Sequence, residues 1–270
     1  MNAERNIRAI TTLSALGMAV LIALSVLLSV LMCAWDADTY GAKSRAALTG
    51  MNEDEMTAYI GMDAQTQQAC AECIRDYFTG RASDMDFILP DGTHAFGEKE
   101  LSHMQDVRGL LTLGVRVALA LAAALAAMGF ACVRLRRRCA PRDAAQALCR
   151  GMKRGAGVLI VCALAVVLSA LANFRAVFEL FHRVAFSNEN WLLDPRTDRL
   201  IRMMPQQLFE TLCVEIALRA PVIPLAAAVA AGAHQYALKR KRETDNELHG
   251  KRARTGGRAQ GKASRGDSRD

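Results

Sequence analysis

The stretch LLTLGVRVALALAAALAAMGFACV, residues 110–133, decides the fold class of this chain. It contains one charged residue, Arg116, and an apolar run of about 20 residues is long enough to cross a membrane as a helix. Three further apolar blocks reach that length, at residues 9–35, 155–174 and 209–238. The 52% hydrophobic content of the chain is concentrated in these four blocks. The sequence therefore predicts an all-α polytopic membrane protein with four transmembrane helices.

Charge indicates which ends of these helices face the cytoplasm. Loop 134–154 has eight Lys or Arg residues and one acid, and loops of this kind stay on the cytoplasmic side. The tail 239–270, with eleven basic residues against five acids, belongs there too. Loop 36–108 has six basic residues against fourteen acids, a net charge of −8, which places it outside. We therefore expect a multi-pass protein of the cell membrane with both termini in the cytoplasm.

The predicted segments follow from these boundaries. In chain order they are the N-terminus 1–8, span 9–35, an extracytoplasmic cap 36–108, span 109–133, cytoplasmic loop 134–154, span 155–180, extracytoplasmic loop 181–205, span 206–238 and tail 239–270.

The outer loop predicts a small cap of short helices. Apolar side chains recur near helical spacing over residues 53–78, and Gly80 is a suitable stop. A short apolar run at residues 87–89, closed by Pro90-Asp91-Gly92, predicts a strand or extended piece. The tail has almost no large apolar residues and is predicted to be disordered. The simpler account of its positive charge is that it attracts the tail to anionic lipid, so no nucleic-acid partner is expected.

Cys70 and Cys73 form a CxxC pair in the outer loop. Such a pair is compatible with a disulfide, a redox motif or half of a metal site. One pair is too small for a tetrahedral zinc site, and the strand–helix setting of a thioredoxin motif is missing. We expect a structural disulfide or two ordinary buried thiols, with an extracytoplasmic thiol relay as a remaining hypothesis.

Residues 181–205, FHRVAFSNENWLLDPRTDRLIRMMP, form a loop dense in titratable and aromatic groups. A loop held at both ends by membrane helices is a suitable place for a functional site. The alternative is an interfacial loop, in which Trp191 and Arg202 anchor at lipid headgroups and Asp194-Pro195 makes a turn.

A second informative stretch, FGEKELSHMQDVRGL at residues 96–110, leads into the second span. His103 and Asp106 are separated by three residues, so on a helix they share a face, where a carboxylate can orient an imidazole. Together with His182 this predicts a two-histidine site at the outer membrane interface. Asp106, Asp194 and Asp198 are candidate orienting groups. The site suits general acid–base chemistry on a lipid-borne substrate.

Several other reaction classes lack support in the sequence. There is no GxSxG nucleophile elbow, no HExxH helix and no Gly-rich phosphate loop. We therefore expect no covalent serine chemistry, no metal site and no cofactor.

Two groups of residues carry a family resemblance. The longer group is Phe181-His182, Phe186-Ser187-Asn188, Trp191, Asp194-Pro195, Thr197-Asp198, Leu200-Ile201, Pro205 and Phe209; the shorter is Glu100-Leu101, His103-Met104 and Asp106-Val107. Both groups resemble the lipoprotein intramolecular transacylase (Lit) family of bacterial four-span membrane proteins. The chain departs from the family pattern at Glu189, where Asp is usual, and at Gln206, where an acid is common.

The resemblance implies an acyltransferase of the cell envelope. Such an enzyme moves the sn-2 acyl chain of a diacylglyceryl-cysteine lipoprotein to the α-amino group of that cysteine, giving a lyso-form lipoprotein. The two essential histidines of the family map onto His103 and His182. The partners are then diacylated bacterial lipoproteins and membrane lipid, and the active site faces outward.

We expect His182 to act as base, because it lies in the denser of the two motif groups. No covalent intermediate is needed, because nucleophile and ester are on one molecule. The other histidine or Asn188 would stabilise the oxyanion. Phe186, Trp191 and Arg202 are expected at the substrate or membrane interface.

A hypothesis from another class is a non-enzymatic membrane protein that binds or assembles partners through its cap. The distance between the two imidazoles discriminates between these possibilities. A separation beyond about 10 Å is too long for proton transfer even through one water, and would exclude the transacylase interpretation.

Overall fold

The computed structural model describes the backbone of residues 2–263; the side chains of residues 158, 159, 162, 166, 167, 170, 171 and 245–263 lie outside the described residues. The described chain is all-helical apart from connecting segments, which confirms the predicted fold class at that level. The helices are α1 (Asn2–Ala34), α2 (Ala37–Tyr40), α3 (Ala42–Ala47), α4 (Glu53–Ile60), α5 (Ala64–Thr79), α6 (Glu98–Arg136), α7 (Pro141–Ala172), α8 (Phe174–Ala185), α9 (Arg199–Met203), α10 (Gln206–Arg219) and α11 (Val222–Ala263).

Three helical stretches of the described chain are long and apolar enough to cross a membrane. They are α1, α6 and Gln206–Thr244, the last of which runs through α10 into α11. The apolar part of α7 contains seven residues whose side chains are not described, so the predicted span 155–180 stays a prediction. The helix itself ends at Ala172, where the Asn173 side chain accepts a hydrogen bond from the backbone of Ala176 and starts α8.

The last spanning stretch is interrupted at Ala220 and Pro221, between α10 and α11. Proline has no N–H and removes a hydrogen bond of the helix, which explains the break. Just before it, Glu215 pairs with Arg219 at 2.9 Å and with Lys43 of α3 at 3.1 Å. Ionisable groups within a span are costly unless they are paired, and these three satisfy one another.

The structure continues α11 into the tail 239–270 as far as Ala263, where the sequence predicts disorder. The tail contains no proline, and its Lys, Arg, Glu and Ala residues favour a helix. Adding them to an existing helix avoids the cost of nucleation, so no apolar core is needed. Residues 264–270 lie outside the described residues.

The chain divides into two compact units. The first comprises residues 1–17, 128–155 and 225–270. Its core packs Ile10 of α1 against Ala144 and Ala147 of α7. Gly151 permits this approach, because a Cβ atom there would overlap the hydroxyl of Ser14 and the backbone carbonyl of Thr11. Small residues allow close helix contact in this way.

The second unit comprises residues 18–127 and 156–224 and contains the cap. In the cap, α4 begins with a capping box between Asn52 and Glu55, and α5 begins at Asp63, whose side chain accepts from Thr66. Gly61 and Gly80 end these helices at φ values of 78° and 80°, which glycine adopts without strain. The extended piece at residues 87–89 forms one antiparallel bridge, from Ile88 to His94, rather than a strand.

The cap has its own apolar core, which also receives the short helix α9. Its fully buried members include Ile60, Cys70, Ile74 and Met203. Leu200 and Met203 of α9 are 2% and 0% exposed, so the loop of residues 181–205 is anchored in the cap at its C-terminal end. The cap therefore holds one end of the histidine-bearing loop in place.

Cys70 and Cys73 are free thiols one turn apart on α5. Burial raises the pKa of Cys70 to about 12, and burial also raises the pKa of Cys73. The thiolate is the reactive form of cysteine, so these thiols are poorly suited to a relay. Of the two structural expectations, the structure has ordinary thiols rather than a disulfide.

The close contact at Gly151 predicts a selective loss of stability. In the Gly151→Ala variant the added methyl group must displace Ser14 or the α1 backbone, which should cost about 1–3 kcal/mol. Gly157→Ala, in the same helix, places its Cβ atom in open space and should be neutral or slightly stabilising. Thermal unfolding of both variants in detergent measures the difference. Equal midpoints would show that α1 and α7 do not pack closely at Gly151.

Candidate active site

The two histidines singled out from the sequence lie next to each other. His103 is on α6 and His182 is on α8, and their ring centroids are 5.9 Å apart with the planes tilted by 40°. Both side chains are buried, at 8% and 7% exposure. This separation is within the limit of about 10 Å set from the sequence and permits both rings to contact one small reacting group.

A backbone contact determines the tautomer of His182. Its Nδ1 lies 2.8 Å from the carbonyl oxygen of Phe178, one turn earlier on α8. A carbonyl oxygen can only accept, so Nδ1 carries the hydrogen and Nε2 has the lone pair in the neutral ring. Burial lowers the pKa of His182, and the bond to Phe178 opposes this in part. The neutral ring is therefore the dominant form near pH 7, with Nε2 available as a base.

His103 is buried with one nitrogen unsatisfied. Its Nδ1 has no hydrogen-bond partner among the described residues. Leaving a buried donor or acceptor unpaired costs about 1–3 kcal/mol, which a bound substrate group could recover. Burial and the neighbouring His182 both disfavour protonation of the His103 ring. His103 is thus suited to hydrogen bonding as a neutral ring.

Aromatic side chains enclose the histidine pair. Phe186 meets His103 edge-on at 5.1 Å, and it is 9% exposed. Phe178 and Trp191 lie 4.0 Å and 5.1 Å from His182, measured between ring centroids. Offset and edge-on arrangements of this kind fix ring orientation and exclude water. Phe186 and Trp191 thus lie beside the histidine pair, and their expected roles at the substrate or membrane interface stay predictions.

Polar contacts attach the loop of residues 181–205 to one side of α6. Asn188 donates to Asp106 at 2.8 Å, and Asn190 donates to Ser102 at 2.9 Å. Lys99 also donates to the backbone carbonyl of Leu192. Among the described contacts Asp106 has no hydrogen bond to an imidazole. Its partner is Asn188, so it positions the loop rather than a histidine.

Asp194 and Asp198 also stabilise the loop itself. Arg196 donates to Asp194 through Nη2 at 2.7 Å, and these contacts hold the pKa of Asp194 at about 2. The backbone N–H of Asp194 donates to the Asp198 side chain at 2.7 Å. These bonds close a turn that contains Pro195. Neither carboxylate is hydrogen-bonded to His103 or His182 among the described residues, so the expectation that they orient the imidazoles is not supported.

Arg202 has a structural contact where a substrate contact was expected. Its Nη1 donates to the backbone carbonyl of Tyr59 at 2.9 Å, at the end of α4. The neighbouring Arg199 donates in the same way to the carbonyls of Ile60 and Ala95. Both arginines therefore attach α9 to the cap.

Glu100 is a supporting residue that the sequence singled out only as a member of the shorter motif group. It is 4% exposed. One carboxyl oxygen accepts from the backbone of Gly97 at 2.7 Å, and the other accepts from the backbone of Leu200 at 2.6 Å. Glu100 therefore joins the start of α6 to the start of α9. Its position one turn before His103 was the available sequence signal.

Among the side chains that the structure describes, no three His, Cys, Asp or Glu groups are close enough to hold a metal ion. The chemistry available to this arrangement is that of two neutral imidazoles in an apolar enclosure. Two such imidazoles in a helical protein with membrane-spanning stretches suit proton transfer at a membrane-integral enzyme.

Comparison with known proteins assigns the family. The family model for lipoprotein intramolecular transacylase Lit matches residues 14–209, and the chain belongs to that family. It is thus an acyltransferase, which excludes the non-enzymatic alternative. A comparison with curated proteins finds no match.

Solved structures of a Bacillus cereus protein share the fold. One is the membrane-integral lipoprotein intramolecular transacylase Lit, with 20% sequence identity, a TM-score of 0.61, and coverage of 87% of this chain and 97% of that one. A variant of the same protein with one histidine changed to alanine has 19% identity, a TM-score of 0.60, and coverage of 87% and 95%. At this identity the likeness concerns the fold.

The two bonds of Glu100 predict that its carboxyl group is needed for loop order. In Glu100→Gln one oxygen becomes an amide NH₂, which cannot accept from the backbone of Gly97 or Leu200. We expect a loss of about 1–3 kcal/mol in stability and faster proteolysis at the arginines of the loop. Glu98→Gln, at an exposed position of the same turn, is the control and should leave both unchanged. Equal proteolysis rates for the two variants would contradict this role.

Proposed function

We propose that this enzyme moves the sn-2 acyl chain of a diacylglyceryl-cysteine lipoprotein to the α-amino group of the same cysteine. The product is a lyso-form lipoprotein, and the partners are diacylated bacterial lipoproteins in their membrane lipid. The observation that carries the proposal is the pair of buried imidazoles, 5.9 Å apart, within a family named for this reaction type.

His182 is the proposed base. Its Nδ1–H is held by the carbonyl of Phe178, so the free lone pair is on Nε2. The α-amine attacks the carbonyl carbon of the ester, and Nε2 takes the proton that the amine loses. The proton then passes to the sn-2 oxygen as the carbon–oxygen bond breaks. One amide and one hydroxyl group replace one amine and one ester, so atoms and charge balance.

His103 is the proposed donor to the oxyanion. Its Nδ1 is buried and has no partner among the described residues, so a hydrogen bond to the tetrahedral intermediate would satisfy it. Asn188, the other candidate, already donates to Asp106 and accepts from the backbone of Asn190. A preorganised donor in a water-poor site typically contributes about 2.7–4 kcal/mol to lowering the barrier.

Apolar access to the site fits a lipid substrate. On α8, close to His182, the side chains of Leu180, Phe181 and Val184 are 62%, 52% and 80% exposed. Phe181 also contacts His182, at 5.3 Å between ring centroids. Acyl chains can lie against this face while the ester reaches the imidazoles. No enzyme nucleophile is required, because amine and ester are on one molecule and correct orientation supplies much of the acceleration.

The charge pattern supports an extracytoplasmic position for this site. The loop 134–154 is strongly basic and the loop 36–108 is acidic, which favours a cytoplasmic place for the first and an outer place for the second. In this orientation both termini are cytoplasmic and the histidines meet lipoproteins in the outer leaflet.

Each histidine should be essential for the transfer. Loss of an acid–base partner costs about 10²–10⁴-fold in rate, so His103→Ala and His182→Ala should nearly abolish product in a host without its own enzyme. His94→Ala is the matched control, because His94 is exposed and pairs with Asp86 outside the site. Accumulation of each variant in the membrane must be equal to that of the wild type.

The readout must locate the acyl chain, because moving it within one molecule leaves the intact mass unchanged. Fragmentation of the N-terminal lipopeptide separates a chain on nitrogen from two chains on glycerol. Wild-type amounts of the N-acylated fragment from His182→Ala would refute the proposed base.

The lowered pKa of His182 makes a prediction about pH. Both the amine, with an ordinary pKa of about 7.7–8.0, and His182 must be neutral for reaction. Because burial lowers the pKa of His182 from its ordinary value of about 6.5, protonation of the ring should suppress the rate only below that pH. Log kcat/KM should therefore fall with slope one between about pH 7.5 and 6.5 and with slope two further down. A slope of two above pH 6.5 would show that the base has no lowered pKa, and this would contradict the role of His182.

A further inference from the structure

A groove of about 870 Å³ lies along α6, outside the histidine pair. Its lining residues on α6 include Gln105, Thr112 and Arg116. With 3.6 residues per turn, these side chains start roughly half a turn away from His103 around the helix axis. The groove therefore lies mainly on the faces of α6 that are turned away from His103, although Ser102, which borders it, also accepts from Asn190 of the loop.

Arg116 is an unusual component of this groove. It lies within the apolar stretch 110–133, is exposed, and forms no ion pair among the described residues. A cation in such a stretch is costly unless it has a partner or reaches the membrane surface. Arg116 is roughly 9 Å along the axis from Leu110, at 1.5 Å per residue, so its long side chain can extend back to the level of lipid headgroups.

A second arginine lies nearer the cap. The guanidinium of Arg108 is 4.4 Å from the centroid of the Tyr77 ring, and its Nη1 donates to the backbone carbonyl of Ser83 at 3.0 Å. These contacts fix its orientation but use one of five N–H donors. The remaining donors are available for a phosphate, which guanidinium groups bind well.

Acidic residues line the other end of the groove. They are Asp84, Asp86 and Glu98, at the loop after α5 and the start of α6. These acids would repel a ligand that is only anionic, whereas the arginines would repel one that is only cationic. A ligand with a phosphate toward the apolar stretch and an amine toward the cap matches this charge order. The exposed side chain of Leu113, also in the groove, offers a surface for acyl chains.

We propose that this groove binds one phospholipid with a primary amine headgroup, of the phosphatidylethanolamine class. Its phosphate contacts Arg116 and Arg108, and its amine lies toward Asp84, Asp86 and Glu98. A lipid phosphate is favoured over free phosphate because Arg116 lies within the apolar stretch, where lipid is the available source of anions. The proposal does not depend on the reaction proposed above, because no residue of the histidine pair takes part.

Native mass spectrometry of the detergent-solubilised full chain tests this site. Phosphatidylethanolamine and phosphatidylglycerol are added separately, and bound lipid is counted. We expect a saturable phosphatidylethanolamine adduct, a weaker phosphatidylglycerol adduct, and about tenfold weaker phosphatidylethanolamine binding by Arg116→Gln. Arg134→Gln is the matched control, because Arg134 is an exposed arginine of α6 that does not line the groove. Circular dichroism shows that each variant is folded.

Two further experiments test whether the bound phosphate comes from lipid and what the acidic residues contribute. Millimolar inorganic phosphate should not displace the lipid, and Asp84→Asn/Asp86→Asn should narrow the preference for phosphatidylethanolamine over phosphatidylglycerol. Equal lipid retention by wild type and Arg116→Gln overturns the proposal, and so does displacement by free phosphate. An equal loss in Arg134→Gln would mean non-specific attraction of lipid to basic residues, which also overturns it.

Discussion

The two hydrogen bonds accepted by Glu100 connect the helix of one histidine to the loop that follows the other. One oxygen binds the backbone of Gly97, at the start of α6, and the other binds the backbone of Leu200, at the start of α9. A buried carboxyl group between two backbone donors is directional and costly to break. This contact fixes α9 and the loop before it relative to α6, together with the Asn190–Ser102 bond and the contacts of the exposed Asn188 and Lys99.

Aromatic packing and proton chemistry are linked in this site. Phe178, Phe186 and Trp191 exclude water from the imidazoles, and the same burial favours the neutral rings that can accept or donate a proton near pH 7. The enclosure also leaves Nδ1 of His103 without a hydrogen-bond partner among the described residues, and a polar group of a substrate could fill that role.

Sequence patterns predicted the helical membrane class from run length, and the motif groups singled out His103 and His182, which the structure brings together. They did not predict the partner of Asp106, since Asn188 is 82 residues away and reaches it only through tertiary packing. The role of Arg202 was missed for a related reason: its acceptor is a backbone carbonyl, which every residue has and no motif records. For the tail, composition predicted that no core could form, and a helix that extends a membrane span does not need one.

The tautomer of His182 is set by a carbonyl four residues earlier on its own helix. The choice of basic nitrogen is therefore a local property of α8, whereas in many acid–base sites it depends on a carboxylate from a distant segment. A change in the loop that carries Trp191 would leave the Nδ1 contact, and with it the protonated nitrogen, in place. In the proposed mechanism, the nitrogen that accepts the proton would therefore be chosen before any substrate is bound.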